Sequence, residues 1–145
     1  MFLLDTNIAS LLFRSEFPPA VLLEQMNAVG RENIYLCSIT HEEFVQGALS
    51  VIRQAETKHK STVSGYLLLT RQVEFLAGFP LLEFDTASEA LFQGYPTELR
   101  RAGNRDCKIA ACGLQYGATV ITQNLRHFQQ VPHLSSLDWT QPLDN

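Results

Sequence analysis

The sequence predicts an α/β fold: a mostly parallel sheet of about five short strands, covered by helices on both faces. Three observations lead there. Short apolar runs alternate along the chain with longer segments of helical period, the pattern of strand–helix units. The first of those runs is continuously apolar, as a strand buried on both faces requires. The chain has 145 residues, 46% hydrophobic and 18% charged, which suits one self-sufficient core. Against a prior of roughly 150 residues per domain, residues 1–145 make a single domain. A chain of this size buries roughly 68–70% of its unfolded surface without disulfide or zinc staples.

Taken in order, Phe2-Leu3-Leu4 is the first strand, and Thr6-Asn7 offers capping oxygens for a helix through Ile8, Leu11, Leu12 and Phe13. Pro18-Pro19 opens a second helix that carries Val21, Leu22, Gln25 and Met26 and stops at Gly30. Ile34 to Ser38 is the second strand. Thr40, three residues before Glu43, predicts a capping box for a helix through Phe44, Ala48 and Leu49. A further helix is expected over roughly 57–77, with Tyr66, Leu69, Val73 and Leu76 as its apolar stripe. Leu81 to Phe84 is the third strand, and Asp85 caps a helix through Ala87, Leu91 and Phe92. Pro96 divides that segment, its second half ending at Gly103. Arg105 to Tyr116 is helical and closed by Gly117, Ala118 to Thr122 is a β-branched strand, and Leu134 to Leu137 a short last one.

Composition narrows the function. Eleven basic against fifteen acidic residues give a net charge of −4, so this is no polycation holding nucleic acid by bulk field. Cys37, Cys107 and Cys112 match no zinc spacing and read as packed thiols of a reducing, cytoplasmic compartment. Asp5 interrupts the N-terminal apolar run, which argues against a signal peptide, and the longest uncharged run, Ile109 to Leu125, reads as a helix end plus a strand, not a membrane span.

Ligands of open parallel sheets bind beyond the carboxyl ends of the strands. Asp5-Thr6-Asn7 follows the first strand, Ser38 to Glu43 the second, and Thr122-Gln123-Asn124 the fourth. Asp106 opens the helix before that fourth strand. Three carboxylates meeting in one cleft repel: at about 5 Å and an effective dielectric of about 20, each pair costs on the order of 3 kcal/mol. A hard divalent cation relieves that repulsion, and it reconciles an acidic pocket with a phosphodiester substrate.

Four blocks, LLDTN (Leu3–Asn7), SITHEEFVQG (Ser38–Gly47), GNRDCKIAA (Gly103–Ala111) and ITQNLRHF (Ile121–Phe128), resemble the PIN domain, in particular the VapC-type toxins of bacterial toxin–antitoxin pairs. The ending PHLSSLDW (Pro132–Trp139) is similar to the family's terminal strand, so the likeness covers nearly the whole chain. It implies a three-layer α/β/α sandwich and a Mg²⁺- or Mn²⁺-dependent endoribonuclease acting on RNA. It further implies inhibition by a small VapB-like antitoxin, and a homodimer. On this resemblance Asp5, Glu43 and Asp106 are the three acids. Asp5 and Asp106 would bind the metal directly, Glu43 directly or through water. Thr6 and Asn7 flank the first acid, and Thr122 orients it. Asn124 falls where many members carry a fourth Asp, which leaves one firm metal position. Glu42 matches no functional position, and on a helix it points about 100° away from Glu43.

Arg100, Arg101, Arg105 and Lys108 crowd the sequence around the third acid and are expected to contact RNA phosphates. The 57–77 segment is the expected dimer or antitoxin surface. His41, His59, His127 and His133 share no metal-ligand spacing and are expected at the surface or rim, and Asp85 is expected to be a helix cap only. A rival reading is a catalytically weak or inactive PIN-like module that binds RNA or protein, supported by Asn124. A phosphotransfer domain of the dehalogenase kind wants a second Asp where this chain has Asn7, and a receiver wants a Lys that Thr122-Gln123-Asn124 does not supply.

Overall fold

The computed structural model describes residues 1–142. Its elements, in chain order, are β1 (Phe2–Leu4), α1 (Thr6–Arg14), α2 (Ala20–Val29), β2 (Ile34–Cys37), α3 (Ser38–Thr57), α4 (Val63–Ala77), β3 (Leu81–Leu82), α5 (Thr86–Gln93), α6 (Thr97–Ala102), α7 (Asn104–Tyr116), β4 (Thr119–Ile121), α8 (Leu125–Phe128) and β5 (Ser136–Leu137). The strands pair in the order β3-β2-β1-β4-β5, every pair parallel.

Alternation along the strands sorts the core into two layers. Leu3 and its register partner Val120 face one way, with Cys37, Phe92, Ile109, Cys112 and Phe128 packed over them. Leu4 and its partner Ile121 face the other way, against Ile8, Leu22, Phe44, Leu76 and Trp139. Helices α5 to α8 thus cover one face and α1 to α4 the other, which is the expected three-layer sandwich. Leu3, Leu4, Ile34, Leu36, Val120 and Ile121 have no exposed surface, the reason these runs lack polar alternation. Among the described residues no helix is long and apolar enough to cross a membrane.

Local structure departs from the sequence reading in three places. The cap of α1 is Asp5, whose Oδ1 accepts the Ile8 amide at 2.8 Å, not the Thr6-Asn7 oxygens. The Thr40–Glu43 capping box is absent: α3 starts at Ser38, Ser38 Oγ accepts the Phe84 amide at 3.0 Å, and buried Thr40 pairs with the Thr6 hydroxyl at 3.0 Å. Tertiary partners have claimed both side chains.

The expected helix over 57–77 is the third. Helix α3 runs on to Thr57, and the chain reverses before α4 begins at Val63. His59 takes φ 51°, its amide donates to Glu56 O at 3.1 Å, and the Lys60 amide donates to Ala55 O at 2.8 Å. These two bonds are those of a Schellman stop, a motif that favours glycine where this chain has histidine. On α4 the buried face is Gly65, Gln72 and Leu76, while Tyr66 and Val73 face solvent at 53% and 52% exposure. Of the expected stripe, Leu76 is buried and Leu69 half-buried, while Tyr66 and Val73 point outward.

Two substitutions test this hairpin. A Cβ on Gly65 would lie 2.6 Å from Ile52 Cγ1 and 3.2 Å from the Ile52 amide nitrogen, so Gly65→Ala should cost about 1–3 kcal/mol in urea or thermal unfolding. His59→Gly removes the left-handed strain of a non-glycine residue and should stabilise by about 1 kcal/mol in the same measurement.

Candidate metal centre

Strand order reverses between β1 and β4: from β1 the sheet grows through β2 and β3 on one side and through β4 and β5 on the other. Such switch points open a crevice at the carboxyl ends of the strands. Because Leu4 pairs with Ile121, the next residues, Asp5 and Thr122, stand side by side at that crevice, and the ladder continues with Asp5 N donating to Ile121 O at 3.0 Å.

Asp5 is 1% exposed. Thr122 Oγ1 donates to its Oδ2 at 2.5 Å and in turn accepts the Asn124 amide at 2.9 Å. With Ile8 N on Oδ1, each carboxylate oxygen holds one hydrogen bond and keeps a lone pair for a further partner. Burial pushes the Asp5 carboxyl up to about 6; the Thr122 and Ile8 bonds pull it down, and the neighbouring Asp106 charge pushes it up again. Burial also raises Glu43, opposed by Arg105 and the Thr6 hydroxyl and aided by Asp106. Asn124 Nδ2 donates to Asp106 Oδ2 at 3.2 Å. The amide at this fourth position thus secures the third acid, a bond a carboxylate there would replace with repulsion.

The three acids share one electrostatic neighbourhood but do not close on a point: among the described residues no three His, Cys, Asp or Glu side chains are placed to ligate one ion directly. The donor set that fits is the sparse one of Mg²⁺ or Mn²⁺, which take one or two carboxylates and keep several waters. Asp5 makes the case. It is a buried carboxylate beside a second one, and the one ion pair among the described residues, Arg105 with Glu42 at 3.5 Å, leaves it without a cationic side chain.

The basic cluster does not form one patch. Arg105 turns to Glu42 and to Gln46 Oε1 at 3.0 Å. Arg100 bonds Tyr95 O at 3.1 Å and Gln93 Oε1 at 3.0 Å, lying over the Phe92 ring. Lys108 sits over the Phe84 and Phe92 rings, and Arg101 is exposed. Flat apolar rings on α5 and the loop before it attract the long stems of Arg100 and Lys108, a pull that chain order does not disclose. Asp85 is a cap, its Oδ1 accepting the Ser88 amide at 2.8 Å.

Sequence reasoning passed over three residues at the rim: Ser10, Arg14 and Gln72 line a pocket with Thr6, Asn7 and Glu43. Ser10 and Arg14 follow Asn7 on one helix face, a signal that was available. Gln72 comes from α4 and carries none. A larger hollow of about 550 Å³ runs along the outside of α3, lined by Gln46, Arg53 and Lys58; it contains no acid and is remote in character from this chemistry.

Residues 2–134 match the family model described as the PIN domain. This chain belongs to the PIN domain family. It is 25% identical over 142 residues to Ribonuclease VapC1 of Haemophilus influenzae (strain R2866), covering 97% of this chain and 99% of that one. It is 28% identical to the tRNA(fMet)-specific endonuclease VapC of Salmonella typhimurium (strain LT2), over 95% and 97% of the two chains. Of solved structures, DNA-bound VapBC from Salmonella typhimurium superposes with a TM-score of 0.74 at 27% identity, over 95% of this chain and 97% of that. FitAB bound to an IR36 DNA fragment gives 0.75 at 22% identity over 99% of each, a likeness of fold.

The raised Asp5 carboxyl fixes a pH dependence for the metal-free PIN domain. Between about pH 4 and pH 6 the folded chain retains a proton on Asp5 that the unfolded chain has lost, so stability falls as pH rises through that window. The Asp5 contribution is on the order of 3 kcal/mol. Urea unfolding in EDTA should show this slope in the wild type and a much flatter one in Asp5→Asn.

Proposed function

We propose that this PIN domain is a metal-dependent endoribonuclease, the toxin of a type II toxin–antitoxin pair. The observation that carries the reading is Asp5, a buried carboxylate fixed by Thr122 and the α1 amide at the switch point of the sheet, beside Asp106 and without a cationic partner. The names of its full-length relatives, ribonuclease and tRNA(fMet)-specific endonuclease, support the reaction class.

Asp5 and Asp106 would hold the cation, with Glu43 reaching it directly or through a water. When bound, Mg²⁺ or Mn²⁺ supplies positive charge at the scissile phosphate and acidifies a water. Thr122 keeps the Asp5 oxygens aimed outward, and Asn124 does the same for Asp106. Glu43, a stronger base than a solvated glutamate because it is half-buried, takes the proton of the water that attacks phosphorus in line. The 3′ oxygen leaves, giving 5′-phosphate and 3′-hydroxyl ends. No step needs a histidine pair.

Partner contacts fit the outward stripe of α4. Val63, Tyr66, Leu67 and Val73 are each at least half exposed, and an apolar helix face of this kind serves an amphipathic antitoxin segment or a second copy of the chain. The DNA-bound VapBC neighbour is a complex of that toxin with its antitoxin, which supports a VapB-like partner here.

Purified protein with Mg²⁺ or Mn²⁺ should cut RNA at mapped positions and leave 5′-phosphates, and EDTA should stop it. Asp5→Asn and Asp106→Asn should each lower the cleavage rate by at least about 100-fold, the several kcal/mol of charge stabilisation that a misplaced cation forfeits, with circular dichroism unchanged. Full activity in either variant would remove the acids from the mechanism.

A further inference from the structure

Beside Glu43, between α1, α3 and α4, lies a polar pocket of about 280 Å³, lined by Asn7, Ser10, Arg14, Glu43, Gln72 and the open backbone at Gly47. Gln72 forms its inner wall. This side chain is only 4% exposed, its Oε1 is enclosed, and that atom has no hydrogen-bond partner. An enclosed amide oxygen left unpaired costs roughly 1–3 kcal/mol, so a stability argument would place an apolar residue here, as at Leu76 one turn on. Arg14 stands at the other side, exposed and, among the described residues, in no ion pair. A second hollow shares Asn7, Ser10 and Arg14 and continues along α1 to Gln123. The two hollows thus share the Asn7, Ser10 and Arg14 face of α1, which carries one positive charge.

We infer that this pocket receives the nucleotide next to the scissile phosphate, Gln72 hydrogen-bonding the edge of its base and Arg14 contacting its backbone phosphate; the inference rests on the endoribonuclease reading. An amide pairs with the edges of unstacked bases, and single-stranded RNA is read in this way. The substrate is therefore single-stranded RNA with a base preference at one position beside the cut. Glu43 joins the two functions, lining the pocket while its carboxyl feels the charge of Asp106. Gly47 sits at the mouth, where an added Cβ would meet nothing within 4 Å.

The test maps cleavage ends on a pool of single-stranded RNAs for the wild type, Gln72→Leu, Gly47→Leu and Arg14→Ala. It also follows the Gln72 side-chain amide resonance of the Asp5→Asn protein as a short oligoribonucleotide is added with Mg²⁺. Gln72→Leu should still cut, with its preference at the adjacent base reduced roughly 10-fold and its melting temperature not lowered. Gly47→Leu, which adds a side chain at the mouth where a Cβ meets nothing within 4 Å, should lose the same preference. Arg14→Ala should weaken binding alike on all sequences and reduce the slope of log affinity against log salt by about 0.7. The Gln72 amide should shift on titration. An unchanged base preference in both Gln72→Leu and Gly47→Leu, or an amide resonance unmoved by saturating oligoribonucleotide, overturns the pocket. If the wild type cuts no RNA, the nuclease reading falls separately, and the titration alone decides the pocket: a shifted amide upholds it and a fixed one overturns it.

Discussion

Everything at the crevice depends on the parallel pairing of β1 with β4. That register sets Leu4 against Ile121, and so it sets the carboxylate of Asp5 against the hydroxyl of Thr122. The last two residues of each strand, Leu3-Leu4 and Val120-Ile121, are apolar and fully enclosed. The first polar atoms they deliver at their carboxyl ends therefore emerge in a region of low dielectric, where a negative charge is poorly solvated. Hydrogen bonds from Thr122 and Ile8 orient the carboxylate without neutralising it. On the function proposed here, a proton and a divalent cation compete for the same oxygens.

The neighbouring elements tune that competition. Asp106 arrives at the start of α7, fastened by Asn124, and adds a second negative charge. Arg105, one residue earlier, is held away by Glu42 and Gln46. Glu42 looks idle beside Glu43, yet it pairs with Arg105, whose charge reaches Glu43 but which forms no ion pair with Asp5 or Asp106. Gly103, just before α7, lies so close under the His127 ring that a Cβ there would fall 2.8 Å from Nε2. Helix α8 therefore grips the start of α7 at two points, through Asn124 and through His127. Hydrogen bonds and packing hold the acids in place, while their charges remain free to bind.

Much of this was legible in residue order. A carboxylate directly after a continuously apolar run, proline at position 96 and glycine at 117 each carry a local physical meaning, and the strand, the break between α5 and α6 and the left-handed stop of α7 follow from them. What stayed hidden was decided by distant partners. The α3–α4 turn uses neither glycine nor proline but a histidine in the left-handed region. A stripe of Tyr66, Leu69, Val73 and Leu76 at helical spacing states that one face of α4 is apolar, not that the core takes only its Leu76 edge together with Gln72. Thr40 and Glu43 have capping-box spacing, but Thr6, thirty-four residues away in the chain, engages the threonine. The basic residues around Asp106 cluster in order and diverge in space because aromatic rings draw two of them aside.

The bond between Thr122 and Asp5 spans 117 positions of the chain. During synthesis on the ribosome, the first acid emerges early and its orienting hydroxyl only near the end. Until β4 has left the exit tunnel and slotted in beside β1, Asp5 has no Thr122, and Asp106 has no Asn124. In a nascent polypeptide the two acids are thus left without their orienting partners until synthesis is nearly complete.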